Sequence, residues 1–408
     1  MASVPGGQFH FFATGENVNV VATPDGSGLP SAAANQFNLE LITDSGPNTT
    51  PAGYQGVGFL SGAGFSVQLA SGNYGVQVVG DGPDTVIGGS GSDTILGGSG
   101  ADLLIGGDGP DTIVGGSGPT TIEGGNGRDV ITGGSGPTTI IGGNGKDTIT
   151  GGSGPTTIFA GHGGDVITGG SGFTTIFAGD GPDTITGGSG PTLIVGGVGT
   201  ATIFGGSGPD TIMGGSGHDT ITGGSGPDLI FGGDGKDTIT GGSGSDTIFA
   251  GHGGDLITGG VGPDLIFGGD GPDTVFGGSG PDTVFGGTGA LTFHGGTGTD
   301  SVVGGGANDT IFGGSGADTI DAGSGHNMIF AGTGGTLIQD QGTRGQDTVF
   351  GFNQAHGDAI SFAGQSSSTV AAVVSSQSSS GGSTTITLPD GSTVTLVGIT
   401  HVDSTFFH

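Results

Sequence analysis

Aspartate recurs at nine-residue intervals through most of this 408-residue chain, as at Asp210, Asp219, Asp228 and Asp237. Each of these residues follows a Gly-Gly-x-Gly segment, and the full unit, Gly-Gly-x-Gly-x-Asp-x-Ile-x, fills 29 consecutive copies from Val79 to Gln339. Carboxylate and backbone carbonyl oxygens are the ligands that Ca²⁺ prefers. A glycine-rich turn that ends in aspartate supplies both kinds of oxygen, so the repeat indicates calcium chemistry.

Each nine-residue unit (nonad) predicts one turn and one short strand. Three glycines in four residues allow positive φ angles and close backbone approach. In the following strand, side chains alternate, and position 8 is apolar in every copy, which predicts a buried column. Two nonads form one coil, so loop i stacks on loop i+2, and neighbouring coils bury each other's apolar side chains. The sequence therefore predicts an all-β protein, a right-handed parallel β-roll (β-solenoid).

Stacking brings the position 6 carboxylates of neighbouring coils to about 4.8 Å, the strand spacing. Such an array repels itself by about 1 kcal/mol per adjacent pair in water, and by more inside protein. Because Ca²⁺ takes six to eight oxygens, a pair of these turns can satisfy it and cancel the repulsion. The predicted metal ligands are Asp84, Asp93, Asp102, Asp111, Asp129, Asp147, Asp165, Asp183, Asp210, Asp219, Asp228, Asp237, Asp246, Asp255, Asp264, Asp273, Asp282, Asp300 and Asp318.

The repeat resembles the hemolysin-type calcium-binding nonapeptide of RTX (repeats-in-toxin) proteins. The similarity is close in GGSGSDTIL (88–96), GGSGPDTIM (205–213), GGDGKDTIT (232–240) and GGSGPDTVF (277–285). The resemblance implies that each calcium ion lies between loops i and i+2. It also implies export by the type I secretion machinery and folding when the chain meets external calcium.

Twenty of the 29 copies carry Asp at position 6, which gives 7 Asp–Asp pairs between loops i and i+2 on one edge and 8 on the other. We therefore expect about 15 calcium ions, whose charge would nearly cancel the net charge of −32. Five alternate copies carry Thr instead, namely Thr120, Thr138, Thr156, Thr174 and Thr192. Two interpretations stay open for residues 115–195: a calcium-free edge held by a stacked threonine ladder, or repeat decay without consequence.

The composition excludes several classes of protein. With four Lys and Arg residues the chain has no basic patch, so nucleic acid is not an expected partner. It has no cysteine for disulfides or thiol chemistry, and no apolar run long enough for a spanning helix. The first residues, MASVPGGQFHFF, do not resemble a secretory signal peptide. Calcium sites of this kind suit extracellular concentrations, so we expect a secreted or cell-surface protein whose export signal lies elsewhere.

Five segments are predicted. Residues 1–78 form a β-rich N-terminal cap of unknown family, and 79–339 form the β-roll. Residues 340–364 close the roll, with Phe350, Phe352, Ile360 and Phe362 over its last open coil. Residues 365–383 are a Ser-rich flexible linker, and 384–408 hold a β-hairpin around Pro389-Asp390-Gly391 and the C-terminal secretion signal. The last residues, Asp403 to His408, resemble the uncleaved signal of type I secretion substrates.

No catalytic motif is present: neither His-Glu-x-x-His, Gly-x-Ser-x-Gly nor a phosphate-binding loop occurs. His162 and His252 are interpreted as ordinary loop residues. We expect a non-enzymatic cell-surface, matrix or surface-layer component. Two alternatives stay open: a secreted enzyme or toxin with an unrecognised N-terminal active site, and an ice-binding or adhesion protein that uses a Thr-x-Thr face.

Position 9 points outward and differs between alternate strands. One set carries mainly Thr, and the other set carries Phe159, Phe177, Phe231, Phe249, Phe267 and Phe285. An exposed apolar stripe of this kind marks an interaction face, which predicts self-association or surface attachment.

Overall fold

A computed structural model describes residues 81–342 and 344–408, together with five strands between residues 39 and 79. The chain divides into two compact units, 1–197 and 198–408, and each is described by itself. Both are parallel β-solenoids, and together they hold about 16 turns. The predicted all-β parallel roll is therefore confirmed.

The first unit contains strands β1 to β18, the last of which ends at the division. In one sheet lie the odd-numbered strands: β1 Leu39–Ile42, β3 Gly56–Leu60, β5 Gly75–Val79, β7 Thr94–Leu96, β9 Thr112–Val114, β11 Val130–Thr132, β13 Thr148–Gly152, β15 Val166–Gly170 and β17 Thr184–Gly188. In the other lie the even-numbered strands: β2 Pro47–Thr49, β4 Ser66–Gln68, β6 Thr85–Ser90, β8 Asp102–Asp108, β10 Thr120–Gly127, β12 Thr138–Gly145, β14 Thr156–His162, β16 Thr174–Asp180 and β18 Thr192–Val198.

The second unit repeats this arrangement. Its odd-numbered strands are β19 Thr202–Gly206, β21 Thr220–Gly224, β23 Thr238–Gly242, β25 Leu256–Gly260, β27 Asp273–Gly278, β29 Leu291–Gly296, β31 Thr310–Phe312, β33 Gly325–Phe330 and β35 Gly345–Phe350. Its even-numbered strands are β20 Thr211–Ser216, β22 Leu229–Asp234, β24 Thr247–His252, β26 Leu265–Asp270, β28 Thr283–Gly287, β30 Ser301–Val303, β32 Thr319–Asp321, β34 Leu337–Asp340 and β36 Ala359–Phe362.

Within the repeats of each unit, each strand pairs in parallel with the strand two nonads later, in a register of 18 residues. Ile221 of β21 lies opposite Ile239 of β23, and Ile230 of β22 lies opposite Ile248 of β24. The position 8 side chains thus form a continuous apolar column inside each sheet, and their exposed fraction is 0–2% from Val86 to Ile338. The predicted core column is confirmed.

The glycines are required where coils touch. Gly107, at position 2, has φ +113°, and a Cβ on it would lie 2.2 Å from the carbonyl oxygen of Gly89 in the coil before. Gly109, at position 4, has φ +115°, and its Cβ would lie 2.0 Å from the Gly91 carbonyl oxygen. A side chain at Gly107 or Gly109 would combine backbone strain with a clash, so both positions of this copy require glycine.

The N-terminal strands join the same stack. β3 pairs in parallel with β1 and β5, and β5 pairs in parallel with β7, the first odd-numbered strand of the repeat. On the other sheet, β4 pairs with β2 and β6. The described strands therefore show no change of architecture at residue 79, where the sequence predicts a separate cap.

The C-terminal flank continues the roll before it closes it. β35 and β36 extend the two sheets, and Val349 and Ile360 extend the core columns beneath Ile329 and Ile338. Phe352, Ile360 and Phe362 are buried, as the capping role requires. Phe350 differs from the prediction, because its ring lies outside and stacks on Phe330 at 4.9 Å.

The Ser-rich stretch 365–383 is ordered, which corrects the prediction of a flexible linker. Helix α1 Ser367–Ser375 begins at a capping box made by Ser366 and Thr369, and it buries Val370 and Val373. Strand β37 Ser378–Ser380 follows. The predicted hairpin is present as antiparallel strands β38 Ser383–Thr387 and β39 Thr393–Val397, and β39 adds in parallel to β35.

The chain end packs against this flank. Two single-turn 3₁₀ helices span Gln354–His356 and Ser404–Phe406. Phe406 stacks on Phe352 at 5.6 Å, and Phe407 meets Phe362 edge-on at 5.9 Å. The predicted secretion signal is thus part of the folded cap.

Candidate calcium-binding edges

The predicted metal ligands lie in columns along the loop edges of each roll. All nineteen are buried, with exposed fractions of 0–3%. Each stands just after a glycine-rich turn, at or immediately before the first residue of a strand. Because loops stack in a register of 18 residues, Asp129 follows Asp111 along one column, and Asp246 follows Asp228 along another.

In most of these aspartates, one carboxylate oxygen links two coils. Oδ1 accepts the backbone N–H of position 6 in the coil before, as Asp129 does from Asp111 at 2.8 Å and Asp237 from Asp219 at 2.8 Å. Across all such contacts the distance is 2.7–3.3 Å. A carboxylate thus occupies the place of a strand-to-strand carbonyl.

The second oxygen, Oδ2, is buried and accepts no hydrogen bond in most copies. This holds for Asp111, Asp129, Asp147, Asp165, Asp183, Asp219, Asp228, Asp237, Asp246, Asp255, Asp264, Asp273, Asp282, Asp300 and Asp318. A buried charged oxygen without a partner is costly, and native proteins usually supply one. A cation is the partner that this pattern calls for.

Where position 1 is glycine, a backbone carbonyl oxygen of the next coil lies close to the same Oδ2 atom. A Cβ added to Gly106 would lie 2.3 Å from Asp111 Oδ2 and 2.6 Å from the Gly124 carbonyl oxygen of the next coil. At Gly223 the same point lies 2.5 Å from Asp228 Oδ2 and 2.6 Å from the Gly241 carbonyl oxygen. Glycine at position 1 therefore leaves a cradle in which a carboxylate and a carbonyl from adjacent coils converge, and this donor set fits Ca²⁺.

Electrostatics agree with this donor set. Burial raises the pKa of Asp111, Asp228 and Asp282 from 3.8 to about 7, and the carboxylates of the coils on either side add to the rise. Burial likewise raises the pKa to about 6 at Asp147 and Asp237. Burial and the neighbouring carboxylates thus disfavour the ionised form in these columns, and a divalent cation between the coils would stabilise it.

No three His, Asp or Glu side chains converge as a metal site among the residues that the structure describes. Each calcium position must therefore combine carboxylates with backbone carbonyls.

A family model of the RTX calcium-binding nonapeptide repeat matches residues 78–190 and 195–329 in overlapping segments. The chain belongs to the RTX repeat family. A search of curated proteins finds no match. RTX repeat proteins are typically secreted.

The threonine copies of this RTX roll hold their coils together differently. The Thr120, Thr138 and Thr156 backbone N–H groups donate to carbonyl oxygens at position 5 of the next coil, at 2.9, 2.9 and 3.0 Å. Their strands consequently begin at position 6, one residue earlier than most aspartate strands. On this edge no carboxylate lies between successive loops, and backbone hydrogen bonds join them, whereas the opposite edge of the same coils keeps the aspartate column through Asp129 and Asp147.

The threonine hydroxyls do not form a ladder between coils, which corrects that hypothesis. Each donates within its own turn, to the position 4 carbonyl oxygen: Thr120 to Gly118 at 3.1 Å, and Thr192 to Gly190 at 3.1 Å. Asp102 stands next to this edge and differs from the other predicted ligands, because its Oδ2 accepts the Gly98 N–H at 2.8 Å.

Three aspartates belong to the columns but are missing from the predicted ligands. Asp309 has the same buried Oδ2 and accepts the Leu291 N–H through Oδ1 at 2.8 Å. Asp358 accepts the Thr336 N–H at 2.8 Å, and Asp347 accepts the Asn327 Nδ2–H at 2.8 Å. Asp347 occurs in Gly345-x-Asp-x-Val, and Asp358 occurs in Gly357-Asp-x-Ile. Both segments keep the Gly, Asp and apolar positions of the nonad in a degenerate form, so the sequence could have revealed them.

The loop histidines make exposed contacts with aspartates of the next coil. His162 Nδ1 lies 3.0 Å from Asp180 Oδ2, and His252 Nδ1 lies 3.0 Å from Asp270 Oδ2. These pairs lie outside the buried columns. Residues 1–38, part of the N-terminal segment for which the sequence leaves an unrecognised active site open, fall outside the described residues. None of the described helices has the length and apolarity to cross a membrane.

Proposed function

We propose that this RTX protein binds Ca²⁺ between coils wherever consecutive loops both carry the buried aspartate, at about 15 positions. The observation that carries the proposal is the row of buried Oδ2 atoms without hydrogen-bond donors, which lie close to a backbone carbonyl oxygen of the next coil wherever position 1 is glycine. The ligands are the nineteen predicted aspartates; Asp309 lies between Leu291 and Asn327 in its column and belongs to no such pair. Where Thr replaces Asp, between 115 and 195, the edge takes no calcium.

Calcium binding and folding are one process in this proposal. At neutral pH the repulsion between uncompensated carboxylates destabilises the folded roll. The unfolded chain holds no preformed site, so calcium binds only the folded state, and its binding free energy stabilises the fold. Circular dichroism during a calcium titration tests this. We expect sheet to form cooperatively with calcium and to disappear in chelator at pH 7.5. A roll that stays fully folded after metal removal at that pH would contradict the proposal.

We further propose that the protein is exported by a type I system and acts outside the cell as a non-enzymatic surface or matrix component. Family membership and the acidic, cation-poor composition support this role. Export is tested by deleting residues 349–408, which should abolish it. The control is deletion of residues 241–258, one complete coil, which preserves the register and should leave export intact.

The ice-binding alternative requires a regular array of threonines on one face. Thr132, Thr150, Thr168 and Thr186 are in register at position 9, but Val166 interrupts the neighbouring position 7 column between Thr148 and Thr184. This broken array does not favour ice binding over the calcium-dependent surface role.

A further inference from the structure

One sheet of the second unit carries an unbroken apolar stripe on its outer surface. The stripe consists of Met213, Phe231, Phe249, Phe267, Phe285 and Val303, at position 9 of β20, β22, β24, β26, β28 and β30. Its four phenylalanine rings stack face to face with centroids 4.6–5.1 Å apart and interplanar angles of 2–10°. We call these six residues the phenylalanine face.

The residues directly beside the phenylalanine face are also uncharged. At position 7 of the same strands lie Thr211, Leu229, Thr247, Leu265, Thr283 and Ser301. These twelve outward side chains carry no charge in a chain whose net charge is −32, and exposed carboxylates occur only further along, at strand ends such as Asp234 and Asp270. Met213 is 39% exposed and Phe285 37% exposed, and the four other residues of the stripe are half-buried. A continuous, partly exposed apolar surface of this kind marks a contact face.

The period of the stripe selects its partner. A surface that nests against stacked rings along their whole length must repeat at the same 4.6–5.1 Å interval, or it falls out of register after a few rungs. A second copy of the same roll has that interval by construction, since the same strand spacing sets it. Face-to-face contact also leaves the aspartate columns at the loop edges of both copies, away from the apolar contact.

We infer that the phenylalanine face joins two copies of this protein. Six rungs at the strand spacing give a patch on the order of 25–30 Å long, and two outward residues per strand make it narrow. It therefore covers roughly 400 Å² per copy, about half of the 800 Å² per partner that a standard stable interface buries. The resulting dimer is weak, reversible and concentration-dependent.

This inference rests on the proposed function, because the face exists only when calcium has folded the roll. The other sheet of the second unit also carries stacked rings, at Phe276, Phe312, Phe330 and Phe350, but His294 lies within that row. That sheet therefore supplies a matched control, with the same residue type at the same repeat position and a different surface.

The test compares Phe249→Thr/Phe267→Thr with Phe276→Thr/Phe312→Thr by sedimentation velocity in saturating calcium, from about 1 μM to 1 mM. Threonine occupies position 9 at Thr222, Thr240 and Thr258, so the strands tolerate it. Circular dichroism and calcium stoichiometry must match the wild type in both variants. We expect the wild type and the control to dimerise with rising concentration, and the first variant to dimerise at least tenfold less tightly.

Three outcomes overturn the inference. The wild type could remain monomeric throughout this range, which would leave the face to a different partner. The control pair could weaken dimerisation as much as the test pair, which would place the contact elsewhere. Dimers could also persist in the chelated, unfolded chain. Failure of calcium-dependent folding itself would be seen separately by circular dichroism, so the two proposals can fail independently.

Discussion

Replacing Asp237 with asparagine should have opposite effects with and without calcium. Asp237 lies between Asp219 and Asp255 in its column, accepts the Asp219 N–H through Oδ1 and leaves Oδ2 without a hydrogen-bond donor. Asparagine can preserve the hydrogen bond between coils, as Asn327 does when it accepts the Asp309 N–H at 2.9 Å. The substitution therefore removes charge and a metal-facing oxygen while it keeps the backbone contact.

The magnitude without metal follows from the pKa. Burial raises the pKa of Asp237 to about 6, and the neighbouring carboxylates of Asp219 and Asp255 add to the rise. A folded-state pKa above the unfolded value stabilises the fold at pH below about 4, and this contribution is lost as the pH rises through about 6. At pH 7.5 the ionised Asp237 thus costs the metal-free roll about 3 kcal/mol, which Asp237→Asn should return.

With calcium the sign reverses. Asp237 belongs to two aspartate pairs, so the variant should bind about two ions fewer than the wild type and unfold more easily. Equilibrium dialysis gives the stoichiometry, and circular dichroism in chelator and in calcium gives the two stabilities. Asp234→Asn is the control, because Asp234 lies in the same nonad on an exposed loop. If Asp237→Asn lowers stability in chelator, or leaves the stoichiometry unchanged, the reasoning is wrong.

Three further predictions concern protons, the threonine edge and the core. In chelator, lowering the pH from 8 to 4.5 should restore β-sheet, because protonation neutralises the buried aspartates whose pKa burial raises to about 6 or 7. Circular dichroism without calcium measures the sheet content. A chain that remains unfolded at pH 4.5 would contradict this prediction. The double variant Thr138→Asp/Thr156→Asp creates one aspartate pair and should bind about one more calcium ion in equilibrium dialysis. The single variant Thr156→Asp should bind no additional ion. It should also destabilise the roll by several kcal/mol, as a buried charge without a partner does. Ile230→Ala should lower the free energy of unfolding by about 2–5 kcal/mol, so the calcium concentration at which half of the chain is folded should rise. Thr222→Ala, on the outer surface, should change that concentration little.

The repeat made the roll predictable from the sequence. Position 8 is apolar in every copy, so the core column from Val86 to Ile338 and the 18-residue register could be derived before any coordinates. The parity of the aspartates likewise placed them in two columns. The repeat allows this prediction because the residue at a given position has equivalent surroundings in every copy. A globular domain without repeats has no such equivalent positions.

The flank and the hydrogen bonding could not be derived in the same way. Insertions shift Asp347 and Asp358 from the nine-residue phase, which hid one further coil, and the Ser-rich stretch gave no sign that Val370 and Val373 would anchor a helix. The role of Thr120 and its equivalents depends on which acceptor its backbone N–H finds. The acceptor is determined by the geometry between neighbouring coils, which cannot be read from the composition.

The two kinds of edge join coils of the same fold through different hydrogen bonds. The Asp111 N–H donates to a carboxylate of the next coil, whereas the Thr120 N–H donates to the Pro137 carbonyl oxygen, and both edges stack in the same 18-residue register. Stacking of the loops therefore does not itself require aspartate at position 6. Aspartate at that position replaces a backbone hydrogen bond with one to a charged carboxylate, whose second oxygen has no hydrogen-bond donor at Asp129. In our proposal, the residue at position 6 thus sets, edge by edge, how strongly the roll depends on external calcium.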